Sequence, residues 1–306
     1  MIYTVTLDPL LERVVGLGEL VYDDVNCITD ENRKPAGRGI DVSRVIKELG
    51  GHSVTLGFAG GYSGLELTDM LGEEGIVTDF TRIGGETRSS IMIYQRKKKI
   101  RTLLYTSSPV IGEDEAGSFF SKVRDIPDGS HVVLSGTTAG LDDDIFAKVI
   151  RILKEKRIKT FLDSDQMAFK LGVDAGPFLI KPNIFELNRL ATTKVNEAKD
   201  IAEVVKRYRD SVEYIIVSMG ARGALGFSKE GDYHVKPPKV AVRNSSGAGD
   251  SFMGGVVSVM SNSGSFEEAL KTGVACGTAA VLTDSGGLCR KTDLDSIKKE
   301  VIIEKF

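Results

Sequence analysis

The sequence is poor in the residues that hold structural metals and disulfides. It contains three cysteines and three histidines among 306 residues. The cysteines, Cys27, Cys276 and Cys289, form no CxxC pair, and the histidines are scattered along the chain. A zinc site or a disulfide framework is therefore not expected.

A strong charge of one sign and a long apolar run are also missing. The 40 Lys and Arg residues nearly balance the 43 Asp and Glu residues, which leaves a formal net charge of -3. This balance gives no general attraction to nucleic acid or to an anionic membrane. No apolar stretch approaches transmembrane length, and the N-terminus, MIYTVTLDP, is typical of a strand rather than of a signal peptide. We therefore expect a cytoplasmic protein with small-molecule partners and no nucleic-acid or membrane partner.

Two familiar glycine signatures for nucleotide phosphates are absent. A Walker loop requires GxxxxGK[ST], and no stretch of the sequence satisfies it. A Rossmann fingerprint requires GxGxxG or GxGxxA directly after the first strand, whereas GAGDSF lies near the C-terminus and has Phe252 at its sixth position. The second absence argues against an NAD-dependent oxidoreductase.

Strand-like apolar runs alternate with amphipathic helical patterns along the chain. The runs include IYTVTL, SVTLGFAGG, HVVLSG, KTFLDS, PFLIKPN and YIIVSMG, and each ends in a small or polar tip. This alternation predicts parallel βαβ units. Ligands of such sheets gather beyond the carboxyl ends of the strands, so the tips are the expected place of the functional site.

Two segments, at about 11–35 and 85–107, depart from this alternation. Both are predicted as short extended pieces, and in the second two alternating runs flank the basic residues 96–99, as in a hairpin with a solvated turn. Together they predict a small β-sheet lid over the strand tips, within a single domain of residues 1–306. Enzymes use such lids to exclude water during transfer reactions.

The stretch NSSGAGDSFMGG, residues 244–255, places small residues before Asp250 at the predicted start of an apolar helix. Residues 239–244 before it are predicted as a strand. The amides of Gly247, Ala248 and Gly249 can approach a phosphoryl group there, and Asp250 can accept a proton from a hydroxyl group. Asp and Ser are equally common as ordinary helix caps. The stretch alone leaves both interpretations open.

The stretch KPNIFEL, residues 181–187, has the same ambiguity. Asn183 and Glu186 are three residues apart and share one face of a helix that begins there. An amide and a carboxylate in this arrangement can serve magnesium-bound water and nucleotide phosphate, because magnesium prefers oxygen ligands. The same spacing forms a capping box, which by itself is the better explanation.

Two further glycine-containing segments offer polar side chains. In KPAGRGIDVSR, Gly37 permits close approach of the backbone to a ligand, and Asp41 can accept hydrogen bonds from sugar hydroxyls. Arg38, together with Arg88 of GETR, can bind a phosphate through its planar guanidinium. The alternative is a glycine turn with surface arginines. The stretch VSMGARGALG, from residue 217, can wrap a nucleotide or be a hairpin turn.

In this order, the motifs resemble the PfkB, or ribokinase-like, carbohydrate kinase family over nearly the whole chain. The pattern is most similar to the branch that contains 1-phosphofructokinases and tagatose-6-phosphate kinases. The resemblance implies a three-layer α/β/α sandwich with a mostly parallel central sheet and a β lid. It also implies transfer from ATP, with Mg²⁺, to a sugar hydroxyl, with fructose 1-phosphate as the foremost acceptor. A homodimer through the β lid is a further expectation.

The resemblance also implies roles for individual residues. Asp250 is implied as the catalytic base, and the amides of Gly247, Ala248 and Gly249 as the anion hole. Glu186 is implied as the metal residue. The implied nucleotide-binding residues are Asn183, Ser218, Gly220, Gly223 and Gly249. The implied sugar-binding residues are Glu12, Gly37, Arg38, Asp41, Arg88 and Asp250.

The half of the sequence that carries the sugar site departs from the family pattern. Asp8 and Glu12 replace the Asn and the final Asp of TLNPxxD, while Arg38 and Asp41 replace the Lys and Asn of GGKGxN. Residues 135–139 read SGTTA where the branch commonly has SGSLP. Arg38 retains a positive charge, which favours a phosphorylated substrate. Two carboxylates near a sugar phosphate would repel it.

Other functions therefore stay open. They are a tagatose-6-phosphate kinase, a kinase of another sugar or of a nucleoside, and a sensor that binds nucleotide and sugar without turnover. The presence of Asp250 argues against the sensor, because binding alone needs no base.

Overall fold

In the computed structural model, which describes residues 1–138, 140–191, 194–283 and 287–306, a mostly parallel β-sheet forms the centre of the fold. The strands, in chain order, are β1 Ile2–Thr6, β2 Leu10–Leu17, β3 Asp30–Ala36, β4 Ser53–Gly60, β5 Val77–Thr78, β6 Thr81–Ile83, β7 Arg88–Gln95, β8 Ile100–Tyr105, β9 His131–Gly136, β10 Lys159–Ser164, β11 Leu179–Ile180, β12 Tyr214–Ser218, β13 Ala224–Phe227, β14 Asp232–Lys236 and β15 Ile302–Lys305. The central sheet has the order β15-β14-β13-β12-β11-β10-β9-β1-β4-β5, and β6 also pairs with β4. Pairing is parallel from β5 to β12 and antiparallel from β12 to β15.

Helices cover both faces of this sheet. They are α1 Arg38–Glu48, α2 Gly61–Glu73, α3 Glu113–Asp125, α4 Ile145–Glu155, α5 Gln166–Asp174, α6 Ile184–Ala191, α7 Ala198–Val205, α8 Ala248–Ser261, α9 Phe266–Ala280 and α10 Lys291–Glu300. Helices α1, α8, α9 and α10 bury apolar side chains on one face, and α3 to α7 do so on the other. The result is the predicted three-layer α/β/α sandwich.

The apolar strand sequences explain why both faces are covered. Successive side chains of a strand point to opposite faces, so a strand that is apolar throughout needs a partner layer on each side. In β9, Val132 and Leu134 belong to the core cluster of α3 to α7, whereas Val133 belongs to that of α1 and α8 to α10. The hydrophobic cores therefore lie on either side of the sheet and hold the strand tips in place.

A separate small sheet has the order β3-β2-β7-β8. Strands β2 and β3 are antiparallel, β2 and β7 are parallel, and β7 and β8 form the predicted hairpin around residues 96–99. These strands come from the two segments that depart from the βαβ alternation, which confirms that the segments are extended.

One local prediction was wrong. Residues 239–244 form no strand. Pro237 and Pro238 precede them and have no backbone N–H for a sheet. The N–H of Arg243 donates to the carbonyl of Val281 at 2.9 Å instead. The segment before α8 is therefore an irregular connection, despite its alternating sequence.

Within the residues that the structure describes, none of the helices is both long enough and apolar enough to span a bilayer.

Candidate active site

A cleft of about 1930 Å³ lies at the carboxyl ends of the parallel strands, with the small sheet along its other side. The tips of β9 to β12 and the N-termini of α1, α6 and α8 contribute to one wall, and β2, β3 and β7 contribute to the other. The predicted site residues all line this cleft: Glu12, Gly37, Arg38, Asp41, Arg88, Asn183, Glu186, Ser218, Gly220, Gly223, Gly247, Ala248, Gly249 and Asp250. The fold thus brings together residues that are more than 200 positions apart. Their individual roles stay predictions.

The N-terminus of α8 carries no side-chain cap. Gly247 is the N-cap residue, has a left-handed conformation with φ of 77°, and is followed by Ala248 and Gly249 in the first turn. The first N–H groups of a helix have no intrahelical partner and carry a partial positive charge. The uncapped start favours the anion-site interpretation of NSSGAGDSFMGG over the simple cap.

Asp250 lies in the first turn of α8 and faces other charges across the cleft. Burial raises the pKa of Asp250 to about 8, and repulsion from Asp41 and Asp163 adds to the rise, while Arg38 and Lys181 oppose it. A carboxyl group with a pKa near the working pH is well suited to accept a proton and to release it afterwards. The environment thus fits a general base.

Asn183 and Glu186 form the capping box of α6. The Asn183 N–H donates to Glu186 Oε2 at 2.8 Å, and the Glu186 N–H donates to Asn183 Oδ1 at 3.0 Å. The structural interpretation of KPNIFEL is therefore confirmed. It does not exclude the functional one, because Glu186 Oε1 forms no hydrogen bond with any described residue and the side chain lines the cleft.

The carboxylate of Glu186 also fits a magnesium site. Burial raises its pKa and Asp163 repels it, so a cation there would relieve the repulsion. The described residues contain no group of three or more His, Cys, Asp or Glu side chains that could hold a metal. Magnesium commonly binds through one or two carboxylates together with water and substrate phosphates. The residues present fit that mode rather than an all-protein cage.

Arg38 is the first residue of α1 and is only half-buried. Its guanidinium forms no ion pair or hydrogen bond with a described residue. Burial lowers its pKa, but nearby carboxylates outweigh burial and raise the pKa above its ordinary value: Asp163, Asp250, Asp165 and Glu186. Arg38 therefore presents an uncommitted cation beside Asp250 and Glu186, where an anionic ligand can bind.

The two unusual carboxylates of the sugar half each pair with an arginine. Asp8 Oδ2 is 2.8 Å from Arg88 Nε, and Asp41 Oδ1 is 2.8 Å from Arg44 Nη1. Burial raises the pKa of both carboxyl groups above the ordinary range. Asp8 thus has a cation of its own, whereas Asp41 shares Arg44 with Glu74, whose two carboxylate oxygens accept from Arg44 Nε and Nη2. The repulsion of a sugar phosphate is therefore reduced at Asp8 more than at Asp41.

The sugar side of the cleft also includes the small sheet. Glu12 on β2 and Lys34 on β3 are cross-strand neighbours, and their side chains form an ion pair of 2.9 Å. Arg88 begins β7, and its guanidinium lies 5.7 Å from the centre of the Tyr105 ring. Ser135 and Gly136 end β9 and line the cleft together with Thr137, whereas Ala139 of SGTTA lies outside the described residues.

The stretch from residue 217 forms a hairpin turn that also lines the cleft. Ser218 ends β12, and β13 returns antiparallel to it. Gly220 and Gly223 both have positive φ, of 60° and 86°, and a Cβ on Gly223 would lie 1.9 Å from the carbonyl oxygen of Val235. The glycines are therefore explained by turn geometry, and the exposed turn is free to contact a nucleotide.

Sequence reasoning missed the ion pair of Asp163 and Lys181. Asp163 is the last residue but one of β10 and Lys181 follows β11, and Lys181 Nζ is 2.9 Å from Asp163 Oδ2. Both line the cleft. The available signal was a charged residue at the tip of each of two apolar runs, but the pairing requires the register of β10 against β11.

Comparison with known proteins gives consistent matches. The model for "pfkB family carbohydrate kinase" matches residues 6–293. A 1-phosphofructokinase from Borreliella burgdorferi is 33% identical over 307 residues, with 99% of this chain and 98% of that protein covered. A tagatose-6-phosphate kinase from Staphylococcus epidermidis is 32% identical, with 98% of each covered. The crystal structure of phosphofructokinase-2 from Escherichia coli in complex with potassium has a TM-score of 0.91 and 27% identity, with 98% of each chain covered. These matches confirm the predicted family and fold.

Proposed function

Because this chain belongs to the pfkB family of carbohydrate kinases, we propose that it transfers a phosphoryl group from ATP to a hydroxyl group of a phosphosugar. Fructose 1-phosphate is the foremost acceptor, with fructose 1,6-bisphosphate as the product, and tagatose 6-phosphate is the alternative that the second relative supports. The observation that carries the proposal is Asp250 beside the uncapped start of α8, in one cleft with Arg38 and Arg88.

The reaction follows from this arrangement. Asp250 accepts the proton of the acceptor hydroxyl, whose oxygen forms a bond to the γ-phosphorus while the bond from that phosphorus to ADP breaks. The N-terminal amides of α8 hold the oxygens of the transferring group, and Arg38 adds a positive charge. Most of the acceleration comes from positioning and charge stabilisation.

Glu186 is the residue that we propose for Mg²⁺, and the hairpin turn at Ser218, Gly220 and Gly223 is the surface that we propose for the nucleotide. When bound with ATP, the ion would neutralise phosphate charge. The small sheet acts as a lid within a single domain of residues 1–306. Water that is excluded by the lid cannot compete with the sugar hydroxyl for the phosphoryl group.

One assay tests the function directly. ADP release is measured by a coupled assay with ATP, Mg²⁺ and a panel of acceptors: fructose 1-phosphate, fructose 6-phosphate, tagatose 6-phosphate, unphosphorylated hexoses and nucleosides. The highest kcat/KM should belong to a phosphosugar. A free hexose or a nucleoside as the best acceptor would contradict the phosphosugar proposal, and no release with any acceptor would favour a nucleotide and sugar sensor.

Replacing Arg88 with alanine should raise the KM for the phosphosugar by about 10- to 100-fold, with a smaller effect on kcat, because a hydrogen bond to a charged group contributes about 1.5–3 kcal/mol. The control is Arg96→Ala, which removes an exposed arginine from the turn between β7 and β8, outside the cleft. Steady-state kinetics with the best acceptor provide the measurement. An unchanged KM in Arg88→Ala would remove Arg88 from the phosphate site.

The lid also supports the proposal of a homodimer. Strand β8 is an edge of the small sheet, and Leu103, Leu104 and Tyr105 on it are exposed. An exposed apolar edge strand readily pairs with another copy of the same chain. Sedimentation velocity should give a dimer, and Leu104→Lys should shift it toward the monomer. A wild-type monomer at micromolar concentration would contradict the proposal.

The cytoplasmic location stays a prediction that cell fractionation can check.

A further inference from the structure

Two of the three cysteines lie together in the interior of the protein. Cys276 is on α9, Cys289 is in the connection between α9 and α10, and both are buried in the same hydrophobic cluster. Their thiols are free and are hydrogen-bonded to each other. Cys27, the third cysteine, is free and exposed. The fold therefore pairs two nucleophilic groups that the proposed reaction does not use.

Both members of this pair contact the same side of α8. The N–H of Cys289 donates to Ser251 Oγ at 3.2 Å. One turn further along α8, a Cβ atom built on Gly255 would lie 2.9 Å from Cys276 Sγ, so the missing side chain makes room for this thiol. Residues four apart on a helix lie one above the other. The pair is therefore held against the helix whose first turn carries Asp250.

The connection that carries Cys289 also packs against the N-cap residue of α8. A Cβ atom built on Gly247 would lie 2.8 Å from Cδ2 of Leu288. Leu288 lines the cleft, and so does Gly277, which directly follows Cys276. The two thiols therefore lie behind the wall of the cleft, and the cleft is the route by which a small oxidant reaches them.

The surroundings of the two thiols give them different reactivity. The hydrogen bond with the Cys276 thiol lowers the pKa of Cys289 and the Ser251 hydroxyl adds to this, while burial opposes it. The same contact, together with burial, raises the pKa of Cys276 well above its ordinary value. The thiolate is the nucleophilic form of cysteine, and a buried cysteine without such partners is inert. Cys289 is therefore suited to attack an oxidant, and Cys276 to attack the product.

We propose that Cys276 and Cys289 are an oxidation site, at which hydrogen peroxide closes a disulfide that lowers turnover. The Cys289 thiolate attacks one oxygen of the peroxide and the O–O bond breaks. The hydroxide that leaves takes up the proton that Cys289 has lost, which gives water and a sulfenic acid on Cys289. The Cys276 sulfur then attacks the Cys289 sulfur, the S–S bond forms, and the S–O bond breaks. The hydroxyl group leaves with the Cys276 proton as a second water. Two thiols are oxidised to one disulfide, and one peroxide is reduced to two waters.

The disulfide lowers turnover through the start of α8. A covalent bond brings two sulfurs closer together than a hydrogen bond does. Residues 287–290 form no helix or strand, whereas α9 packs against α8 and α10, so the connection moves rather than α9. A shift of Cys289 withdraws its N–H from Ser251 and displaces the neighbouring residue that packs on Gly247. A misplacement of about 1 Å near reacting groups can lower a rate by about 10²-fold.

The test treats the reduced wild-type protein with hydrogen peroxide and then alkylates the remaining thiols. Trypsin cleaves after Lys271 and Arg290, so one peptide, 272–290, contains both cysteines. Its mass should show the loss of two hydrogen atoms and no added alkyl group. The kcat for ADP release should be about 10²-fold lower in the same sample and should recover after dithiothreitol. A peptide that keeps both thiols, or an unchanged kcat in fully oxidised protein, would overturn the proposal.

Three variants locate the reaction. Cys276→Ser keeps a hydroxyl donor beside Cys289 and cannot form the disulfide, so dimedone should label the sulfenic acid of Cys289. In Cys289→Ala, dimedone should leave Cys276 unlabelled and kcat should resist peroxide. The matched control is Cys27→Ser, which removes the exposed thiol and should respond to peroxide as the wild type does. The two buried positions lie on different elements, so either variant that keeps the wild-type Tm is sufficient. A loss of kcat in Cys289→Ala equal to that of the wild type would place the damage elsewhere and refute the site.

The outcomes also separate this proposal from the proposed function, because the mass of the peptide is read without any activity. If the wild-type protein releases no ADP with any acceptor, the proposed function fails, and the peptide still decides whether the two thiols are an oxidation site. If the wild type is active and the peptide keeps both thiols after peroxide, only the oxidation site fails.

Discussion

Asp250→Asn should lower kcat by about 10²- to 10⁴-fold, the usual contribution of a general base, while the affinity for ATP stays close to that of the wild type. Asparagine keeps the size of the side chain and cannot take up the hydroxyl proton. Coupled ADP release gives kcat, and isothermal titration calorimetry gives ATP binding. The matched control is Asp293→Asn, because Asp293 occupies the same position in the first turn of α10 as Asp250 does in α8. Wild-type turnover in Asp250→Asn would exclude Asp250 as the base.

The raised pKa of Asp250 predicts the shape of the pH profile. The base form is unprotonated, so kcat/KM of the wild type should rise with pH and level off above a pKa of about 8. Below that pKa the rise should be about tenfold per pH unit. A profile that is flat from pH 6 to 9 would contradict this assignment.

The same pKa predicts a stability difference that needs no activity. The folded protein holds the Asp250 proton more tightly than the unfolded chain, whose aspartate has the model value of 3.8. This contribution to stability is complete below pH 3.8 and is lost as pH rises through about 8. The Tm advantage of Asp250→Asn over the wild type should therefore grow between pH 6 and 9. A difference that shrinks over this range would contradict the raised pKa.

The sequence predicts most of the site because its motifs lie at strand tips and helix starts. Backbone amides before Asp250 and the glycines of the hairpin turn act through local geometry, which a short stretch specifies. Once the parallel order of the strands is inferred, the carboxyl ends of those strands must meet at one edge of the sheet. The shared cleft of α1, α6 and α8 follows from that order.

Pairwise contacts between distant residues are what the sequence could not supply. Asp163 and Lys181 meet only because β10 and β11 pair in one register. Asp8 pairs with Arg88, which is 80 positions away, because β2, which begins two residues after Asp8, pairs with β7 so that Leu10 is opposite Arg88. The sequence therefore predicted a repulsive sugar site, whereas the structure pairs Asp8 with Arg88 and lets Asp41 share Arg44 with Glu74.

The wrong strand at residues 239–244 has a different cause. Its alternating apolar residues satisfy the pattern of a strand, but Pro237 and Pro238 disrupt the backbone directly before it. Two of the apolar residues, Val240 and Val242, line the cleft instead. The alternation of apolar and polar residues in this segment therefore reflects apolar side chains that face the cleft, and not a strand that packs in a sheet.

Arg38→Met should lower kcat/KM for the phosphosugar by about 10²- to 10³-fold, because it removes a cation that forms no ion pair or hydrogen bond with a described residue and that, in the proposed reaction, faces the transferring group. The variant also leaves Asp250 with one fewer cation nearby, so the acid limb of its pH profile should move to higher pH. Arg38→Lys is the matched control. Arg38→Lys keeps the charge and loses the planar guanidinium. The acid limb of its pH profile should therefore stay near that of the wild type, and its kcat/KM should fall by less than that of Arg38→Met.

These two variants separate the charge of Arg38 from its geometry. Both variants could lose kcat/KM equally while the acid limb of neither pH profile moves. In that case Arg38 acts through bidentate binding of a phosphate remote from Asp250, which is the phosphate that the sugar already carries. If the limb moves only in Arg38→Met, the charge acts on Asp250 itself. The electrostatic interactions of Arg38 with Asp163, Asp250 and Glu186 favour the second result, since Asp250 and Glu186 are the base and the metal residue of the proposed reaction.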